Sequence, residues 1–488
     1  MTPHRLILFN PRAQRSHRRL PLSLLHVVRA LPPDRDWTLV DGNVEPDAEL
    51  RLRSLCAEGP VVLLVTVMPG PQLRVATPLC RELVRANPRL VVVWGGYFPS
   101  VHPEAVARDP GVHLVAVGQG EATVADVLAA VEAGADPLVA GTAAWRGGAL
   151  VRGATRPLVA SATYGPTPYG RVDMERYAAR TFLGERTYNL HTSVGCPFLC
   201  NFCAVVNLYA GRWLPDPAAA VVAEVRTLAR DHRADAVEFH DNNFFAWERR
   251  CREVADGIAD LGLSWWGEGR VDTMLGFAGA TWEAMARAGL RMVFYGAESG
   301  DDEALERMDK GGLRSADTRA LNRLARRHGV VPEFSFVLGN AGDPERDVRL
   351  SLELIRVLKA DNPDCEIILY LYTPVPLPGQ WAEAERLGMR FPDTLDGWLG
   401  PPWSDFDHRR TESTPWMTAD LRRRIYDFEV VLNARYPTAT DRHLAAWQRR
   451  ALRGLARFRW SRGWTGHPWE LKALLRAWSY RRPEEMGF

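Results

Sequence analysis

Short apolar runs that close on glycine or a polar residue alternate with longer amphipathic stretches along the first part of the chain. The runs are RLILFNP, WTLVDGN, VVLLVTVMPG, LVVVWGGYF and HLVAVGQG. Nearly unbroken apolar strands separated by helical stretches are the pattern of a parallel sheet covered on both faces, so the N-terminal part is expected to be a doubly wound α/β fold. Such folds bind ligands in the crevice beyond the C-terminal ends of their strands. The loops Met68 to Gln72, Gly95 to His102 and Gly118 to Glu121 fall at those ends and are expected to converge on one crevice.

Between Pro137 and Ala160 the pattern changes to two apolar runs flanking Arg146, Gly147 and Gly148, which reads as a β-hairpin linker. An irregular Pro, Gly and Tyr-rich connection follows through Arg171. Strand–helix alternation resumes at His191, with strands near HTSVG, AVEFHDN, WWGEGRV, MVFYGAES, PEFSFVLG and CEIILYLYTP. Helices are expected at Ala218 to Arg230, Trp282 to Ala288 and Ser315 to His328. The C-terminal ends of these strands carry Asp241, Asn242 and Asn243, then Arg270 and Asp272, then Glu298 and Ser299, then Gly339 and Asn340.

Beyond Pro378 the chain is rich in Trp and Arg, with Trp398, Trp403, Trp416, Trp460, Trp464, Trp469 and Trp478 set in Arg-flanked apolar stretches. This helical region is expected to close the second domain and set substrate specificity, or to be a plain helical cap. A third reading is peripheral membrane contact through LARFRWSRGW and LKALLRAWSYRR, where Arg and Trp mix as at bilayer interfaces. The expected division is 1–136, a linker at 137–185, a second domain at 186–378 and the C-terminal region at 379–488.

With 46% hydrophobic and 25% charged residues over 488 positions, the chain can bury large cores. A net charge of +2 without a basic block gives no footprint for nucleic acid. Seven cysteines without a short-range pairing pattern suit a reducing cytoplasm. LILF gives way to Asn10, Pro11 and Arg12, so no signal segment or membrane span is expected.

Cys196, Cys200 and Cys203 stand in Cys-x-x-x-Cys-x-x-Cys spacing directly after HTSVG. Three thiolates hold a [4Fe–4S] cluster by three irons and leave the fourth open to a substrate or cofactor. Two other readings are three merely buried cysteines, or a zinc site with His191 as fourth ligand. Cys56, Cys80, Cys251 and Cys365 read as small core residues.

The cysteine spacing resembles the radical S-adenosylmethionine (SAM) superfamily, and Phe202 fills the aromatic slot that lies against the SAM adenine there. The resemblance implies a partial (β/α)6 TIM-like barrel for the second domain. It places Asp241, Asn242 and Asn243 near the SAM amino group, Arg270 at its carboxylate, Glu298 and Ser299 at ribose or amino groups, and Val337 to Gly339 over adenine. Each also has a structural reading: Arg270 and Glu298 as a barrel salt bridge, Asn243 as a turn cap. No catalytic residue is assigned beyond the cluster ligands.

VMPGPQL, WGGYFPSVHPE and VGQGEAT, in this order, resemble the cobalamin-binding domain of the cobalamin-dependent radical SAM family. The other reading is a doubly wound domain with empty glycine turns or a bound nucleotide, although no G-x-G-x-x-G follows the first strand. By resemblance the cobalamin contacts are Met68, Gly70, Gln72, Gly95, Gly96, Tyr97, Ser100, His102, Gly118, Gly120 and Glu121. The Asp-x-His-x-x-Gly motif that supplies an axial histidine elsewhere is absent, and His102 stands in SVHPE as a hydrogen-bonding or structural residue. Met68, Gln72 and Arg74 are the candidates to face cobalt.

The family resemblance implies C-methylation of a small or lipid-like substrate through methylcobalamin, with an electron donor such as flavodoxin or ferredoxin. Its oxidative cyclase-like members, similar in motif arrangement, give the alternative of cyclisation or rearrangement. A corrinoid-binding or iron–sulfur sensor is the non-catalytic alternative.

Overall fold

The computed structural model describes residues 4–13, 18–376, 380–404, 406, 413–437 and 444–478. The N-terminal strands are β1 (Arg5–Asn10), β2 (Thr38–Asp41), β3 (Val61–Thr66), β4 (Leu90–Gly95) and β5 (Leu114–Ala116). They pair in parallel in the order β2-β1-β3-β4-β5, so the order reverses beside β1, where a doubly wound sheet opens its crevice. Alternation along β1 explains why the apolar run is unbroken. Leu6 and Leu8 enter the core on one face, and Ile7 and Phe9 enter the core on the other. Each such side chain contributes about 1.5–3 kcal/mol when fully buried.

The hairpin of β6 (Thr142–Arg146) and β7 (Ala149–Arg152) is more than a connection. β6 pairs antiparallel with β5, which extends the sheet to seven strands and covers its edge.

The second sheet is parallel and six-stranded: β8 (Thr187–Leu190), β11 (Ala236–Phe239), β12 (Ser264–Gly269), β13 (Leu290–Glu298), β14 (Val331–Leu338) and β15 (Glu366–Leu371), in sequential order. Two short strands intervene, β9 (Ser193–Gly195) and β10 (Trp213–Pro215), paired antiparallel. This corrects the sequence reading, which put the first barrel strand at HTSVG. That strand is TYNL, and only Ser193 to Gly195 of HTSVG is extended. Its pattern is hidden because Thr187 and Asn189 are polar. Asn189 is nevertheless buried, accepting from Leu20 N at 2.8 Å and donating to Leu20 O at 3.1 Å. The three expected helices form, at Ala218–His232, Gly279–Arg287 and Ser315–Arg327.

The C-terminal region divides its packing between both domains. The helices Gln380–Arg386 and Leu395–Trp398 bring Trp381, Phe391, Trp398 and Trp403 onto the N-terminal domain. There Phe98 meets Trp398 edge-on at 4.9 Å, and Arg81 pairs with Asp396 at 2.8 Å. The helix Ala419–Arg435 instead buries Ile425, Phe428 and Leu432 in the barrel core and turns Val430, Val431 and Ala434 toward the helices Ala446–Ser461 and Trp469–Ala477. The expected boundary at 378 lies outside the described residues. Among the described residues no helix is long and apolar enough to cross a membrane.

Candidate functional site

β9 ends on Gly195, and Cys196 follows it. A Cβ at Gly195, whose φ is +80°, would lie 2.1 Å from Arg212 O, so only glycine lets the chain turn here. Cys200 is buried, and Cys196 and Cys203 are half-buried. Burial pushes the Cys196 thiol up and the Cys203 thiol to about 11, and the charges of neighbouring cysteines add to both shifts. Two cations oppose this. Arg270 Nη1 donates to Cys200 Sγ at 3.1 Å, and Lys310 lies near enough to favour the charged form of Cys203. Among the described residues no three His, Cys, Asp or Glu side chains converge on a single metal ion. The donor set is three mutually interacting thiols with two cations beside them, a chemistry that suits an iron–sulfur cluster. His191 lines a different cavity.

Arg270 is held from several sides. Its Nε and Nη2 meet Asp272 at 3.0 and 2.6 Å, Nη2 also donates to Lys310 O at 2.6 Å, and the guanidinium lies 3.8 Å from the Phe198 ring centroid. Lys310, which the sequence reading missed, forms a buried ion pair with Glu298 and lies 5.4 Å from the Phe202 ring centroid. Burial opposes the Lys310 charge, but Glu298 and Cys200 raise its pKa. Glu298 itself sits at φ +61°, in the left-handed region that strains a side-chain-bearing residue, beside a register shift in β13.

The other expected SAM contacts differ in how far they are already committed. Asp241 is fully buried and accepts from Thr192 N at 3.0 Å, from Thr192 Oγ1 and from Ser193 Oγ, so it ties the β11 loop to β9. Asn242 is exposed to the cavity described below. Asn243 is 1% exposed, and neither its Oδ1 nor its Nδ2 has a hydrogen-bonded nitrogen or oxygen partner, although it approaches Cys196. A buried amide left in that state suits an incoming polar ligand. Ser299 donates to Asp347, which also accepts from Gly339 N at 2.8 Å and Asn340 N at 3.0 Å. Asp347, missed from sequence, thus gathers the ends of β13 and β14. A Cβ at Gly339 would lie 2.1 Å from Met417 Sδ, and Trp416 Nε1 donates to Gly339 O at 2.9 Å.

A cavity of ≈600 Å³ lies beyond the ends of β1, β3, β4 and β5. Its lining joins Met68, Gln72, Gly95, Gly96, Tyr97, Ser100, Gly118, Gly120 and Glu121 of the N-terminal domain to Ser193, Gly195, Ala204, Tyr209 and Asn242 of the barrel. Gln72 links the loops: it accepts from Met68 N at 2.9 Å and donates to Asn10 Oδ1 at 3.2 Å and Pro11 O at 2.7 Å. Ser100 donates to Gly96 O at 2.7 Å and accepts from Gly118 N at 3.0 Å. Tyr97 is pushed up to about 12 by burial and by the nearby Cys203, so the cavity and the cysteine loop share a wall. Gly118, at φ +76°, has nothing within 4 Å of where a Cβ would stand, a cradle that fits a flat ligand pressed close to backbone.

Two of the expected cobalamin contacts, His102 and Gly70, and one candidate to face cobalt, Arg74, fall outside this lining. His102 packs between Phe98, Phe391 and Trp398, where burial lowers its pKa to about 4. Gly70 faces Phe406, whose carbonyl would lie 2.9 Å from a Cβ. Arg74 lines a separate cavity near Arg12 and Glu45. Sequence reasoning missed His26, which lines the main cavity 6.4 Å from the His191 ring and is held neutral by burial, Arg29 and His191.

Further along the inner face of the barrel is a polar group unsignalled by any motif. Arg19 meets Glu238 at 3.0 Å, Glu238 meets His240 Nε2 at 2.9 Å, and Trp266 Nε1 donates to Glu333 at 3.2 Å. Despite burial, Arg19 and His240 hold Glu238 down to about 2. At Glu268 the balance is reversed: burial and the charges of Asp241 and Glu333 push it up to about 8, and Arg19 opposes this only in part.

Residues 19–128 match the B12 binding domain family. The chain is similar to the anaerobic magnesium-protoporphyrin IX monomethyl ester cyclase of Synechocystis sp., 26% identical over 72% of this chain and 70% of the relative. It is also similar to an uncharacterized methyltransferase of Pyrococcus horikoshii, 25% identical over 75% of this chain and 78% of that one. The fold matches that of the radical SAM methyltransferase TsrM from Kitasatospora setae, solved with cobalamin and a [4Fe–4S] cluster bound. The TM-score is 0.67 at 18% identity, covering 98% of this chain and 99% of TsrM.

Proposed function

We propose that this protein is a cobalamin-dependent radical SAM enzyme that methylates an unactivated carbon of a small or lipid-like metabolite. The observation that carries this reading is the wall shared by the cysteine loop and the N-terminal cavity, where Ala204 and Val205, directly after Cys203, line the cavity together with Tyr97 and Asn242. Two sites that adjoin in this way suit two cofactors acting on one substrate. When bound, the cluster and SAM supply a 5′-deoxyadenosyl radical, and cobalamin supplies a methyl carrier.

The chain's own residues prepare that chemistry. Cys196, Cys200 and Cys203 would hold the cluster, with Arg270 and Lys310 lowering the free-energy cost of three clustered thiolates. Arg270 would place a carboxylate, Phe202 an adenine, and Asn243 an amino group. Gly96, Gly118 and Gly120 would let the corrin approach backbone. His102, packed among Phe98, Phe391 and Trp398, does not line the cavity, so a corrinoid there would be held without it. The inner barrel face, with Glu238, His240, Trp266, Glu268 and Glu333, would orient the substrate.

Similarity to the cyclase favours a second reading, an oxidative cyclisation with the same cofactors. Anaerobic reconstitution with iron, sulfide and hydroxocobalamin, followed by reductive assay of SAM products, tests both. Bound cobalt with S-adenosylhomocysteine and 5′-deoxyadenosine is the expected outcome. Bound cobalt with 5′-deoxyadenosine alone favours cyclisation, and an absence of cobalt binding overturns the assignment of the N-terminal site.

A further inference from the structure

The helix Ala446–Ser461 packs along one side and leaves an apolar flank largely in water, where Trp447 touches only Trp478 among the ring contacts of the described residues. At 100° per residue, Leu452, Ala456 and Arg459 fall on the buried side, against Val430, Val431, Ala434 and Leu471. Trp447, Ala451, Leu455 and Phe458 fall together on the flank next to that side, with Trp447 61%, Leu455 44% and Phe458 52% exposed. Arg450, Arg453 and Arg457, all exposed, form a stripe along one edge of that apolar face.

The turn that follows exposes two more large aromatics. Buried Arg459 donates to Gly466 O at 3.0 Å and His467 O at 3.1 Å, pairs with Glu470, and lies 3.9 Å from the Trp464 ring centroid. Its guanidinium holds the inner side of Trp464, whose ring is left 52% exposed, and Trp469 next to it is 72% exposed. Rigid presentation of large aromatics to water is unfavourable unless something covers them.

Charge identifies the cover. The segment Ala446–Trp478 contains eight Arg or Lys and one Glu, whereas the whole chain carries only +2. The remainder of the molecule is therefore net acidic, and the segment that exposes Trp, Phe and Leu carries the excess of positive charge. An apolar stripe edged by arginine, with tryptophan at its end, is complementary to an anionic lipid surface: the rings enter the headgroup boundary and the guanidiniums meet phosphate.

We propose that this face docks the protein on an anionic bilayer surface as a peripheral, non-spanning contact. Flotation of the full-length protein with phosphatidylcholine vesicles and with phosphatidylcholine–phosphatidylglycerol vesicles tests it. The protein is expected to float with the anionic vesicles and to be released by high salt. Arg453→Gln with Arg457→Gln should weaken that binding roughly twenty-fold, at about five-fold per charge. A Leu455→Ser, Phe458→Ser and Trp469→Ser variant should lose it while keeping the wild-type melting temperature. Failure to float with anionic vesicles, or equal flotation of the variants, overturns the proposal. So does light scattering that shows a dimer converted to a monomer by the serine variant, since a second copy would then be the cover.

Discussion

Arg270 Nη1 donates to Cys200 Sγ at 3.1 Å while the same guanidinium grips Asp272 and the Lys310 carbonyl. One planar fork thus ties the cysteine loop to the end of β12 and to the loop that carries Lys310. Lysine has the charge but not the geometry to meet three acceptors at once. Arg270→Lys is expected to retain iron and sulfide but to reduce 5′-deoxyadenosine formation about ten- to hundred-fold, the range for charge-assisted hydrogen bonds of about 1.5–3 kcal/mol. Unchanged formation would reduce Arg270 to a barrel salt bridge.

Glu298 and Lys310 form a buried pair at a backbone position that carries strain. Removing one partner leaves the other charged and desolvated, and breaking such a pair costs about 3–5 kcal/mol. Lys310→Met should therefore lower unfolding free energy by that amount in urea titrations. Adding Glu298→Gln removes the orphan charge and should recover part of the loss. If the double variant is as unstable as Lys310→Met, the pair is not coupled in this way.

Glu268 gives the fold a pH dependence of predictable sign. Its folded pKa, about 8, exceeds the ordinary carboxylate value near 4.5, so the native state holds a proton that the unfolded chain has lost. Its contribution is fully favourable below about pH 4.5, declines as pH rises, and is gone above about pH 8. The groups facing it are Asp241, Glu333, Arg19 and His240. The side chain retains 32% of its surface, and water reaching it screens the effect. Glu268→Gln should remove this slope, so its melting temperature should gain on wild type from pH 5 to pH 9. A constant difference across that range would contradict the shifted carboxyl.

Both sheets were legible because hydrophobic period reports burial directly. Leu6 to Phe9 face two cores and read as a solid run, and the glycine loops fall where β3, β4 and β5 end. TYNL was illegible because Thr187 and Asn189 face inward and Asn189 is satisfied by Leu20, far away in sequence. Lys310, Asp347 and the Glu238–His240 group were missed for the same reason. They carry no motif, and their meaning is a meeting in space of residues such as Arg19 and Glu238, which are distant along the chain. His102 shows the converse: its loop reaches the ligand crevice, but two of the three aromatic residues that surround it, Phe391 and Trp398, come from the C-terminal region.

Gly118 provides the sharpest test of the N-terminal cavity. Its φ of +76° penalises any side chain by about 1–2 kcal/mol, and Gly134 at φ +67° bears the same penalty on an exposed turn. Both have open space where a Cβ would stand, but only Gly118 opens into the cavity. Leucine at either position should thus lower stability alike. Only Gly118→Leu should also obstruct a ligand lying on the backbone, by about five- to hundred-fold if overpacking costs about 1–3 kcal/mol. Equilibrium dialysis with hydroxocobalamin should show that loss for Gly118→Leu and not for Gly134→Leu, with iron content equal in both. Equal affinity in the two variants would remove the cavity from the corrinoid site, because strain is matched and only the filled space differs.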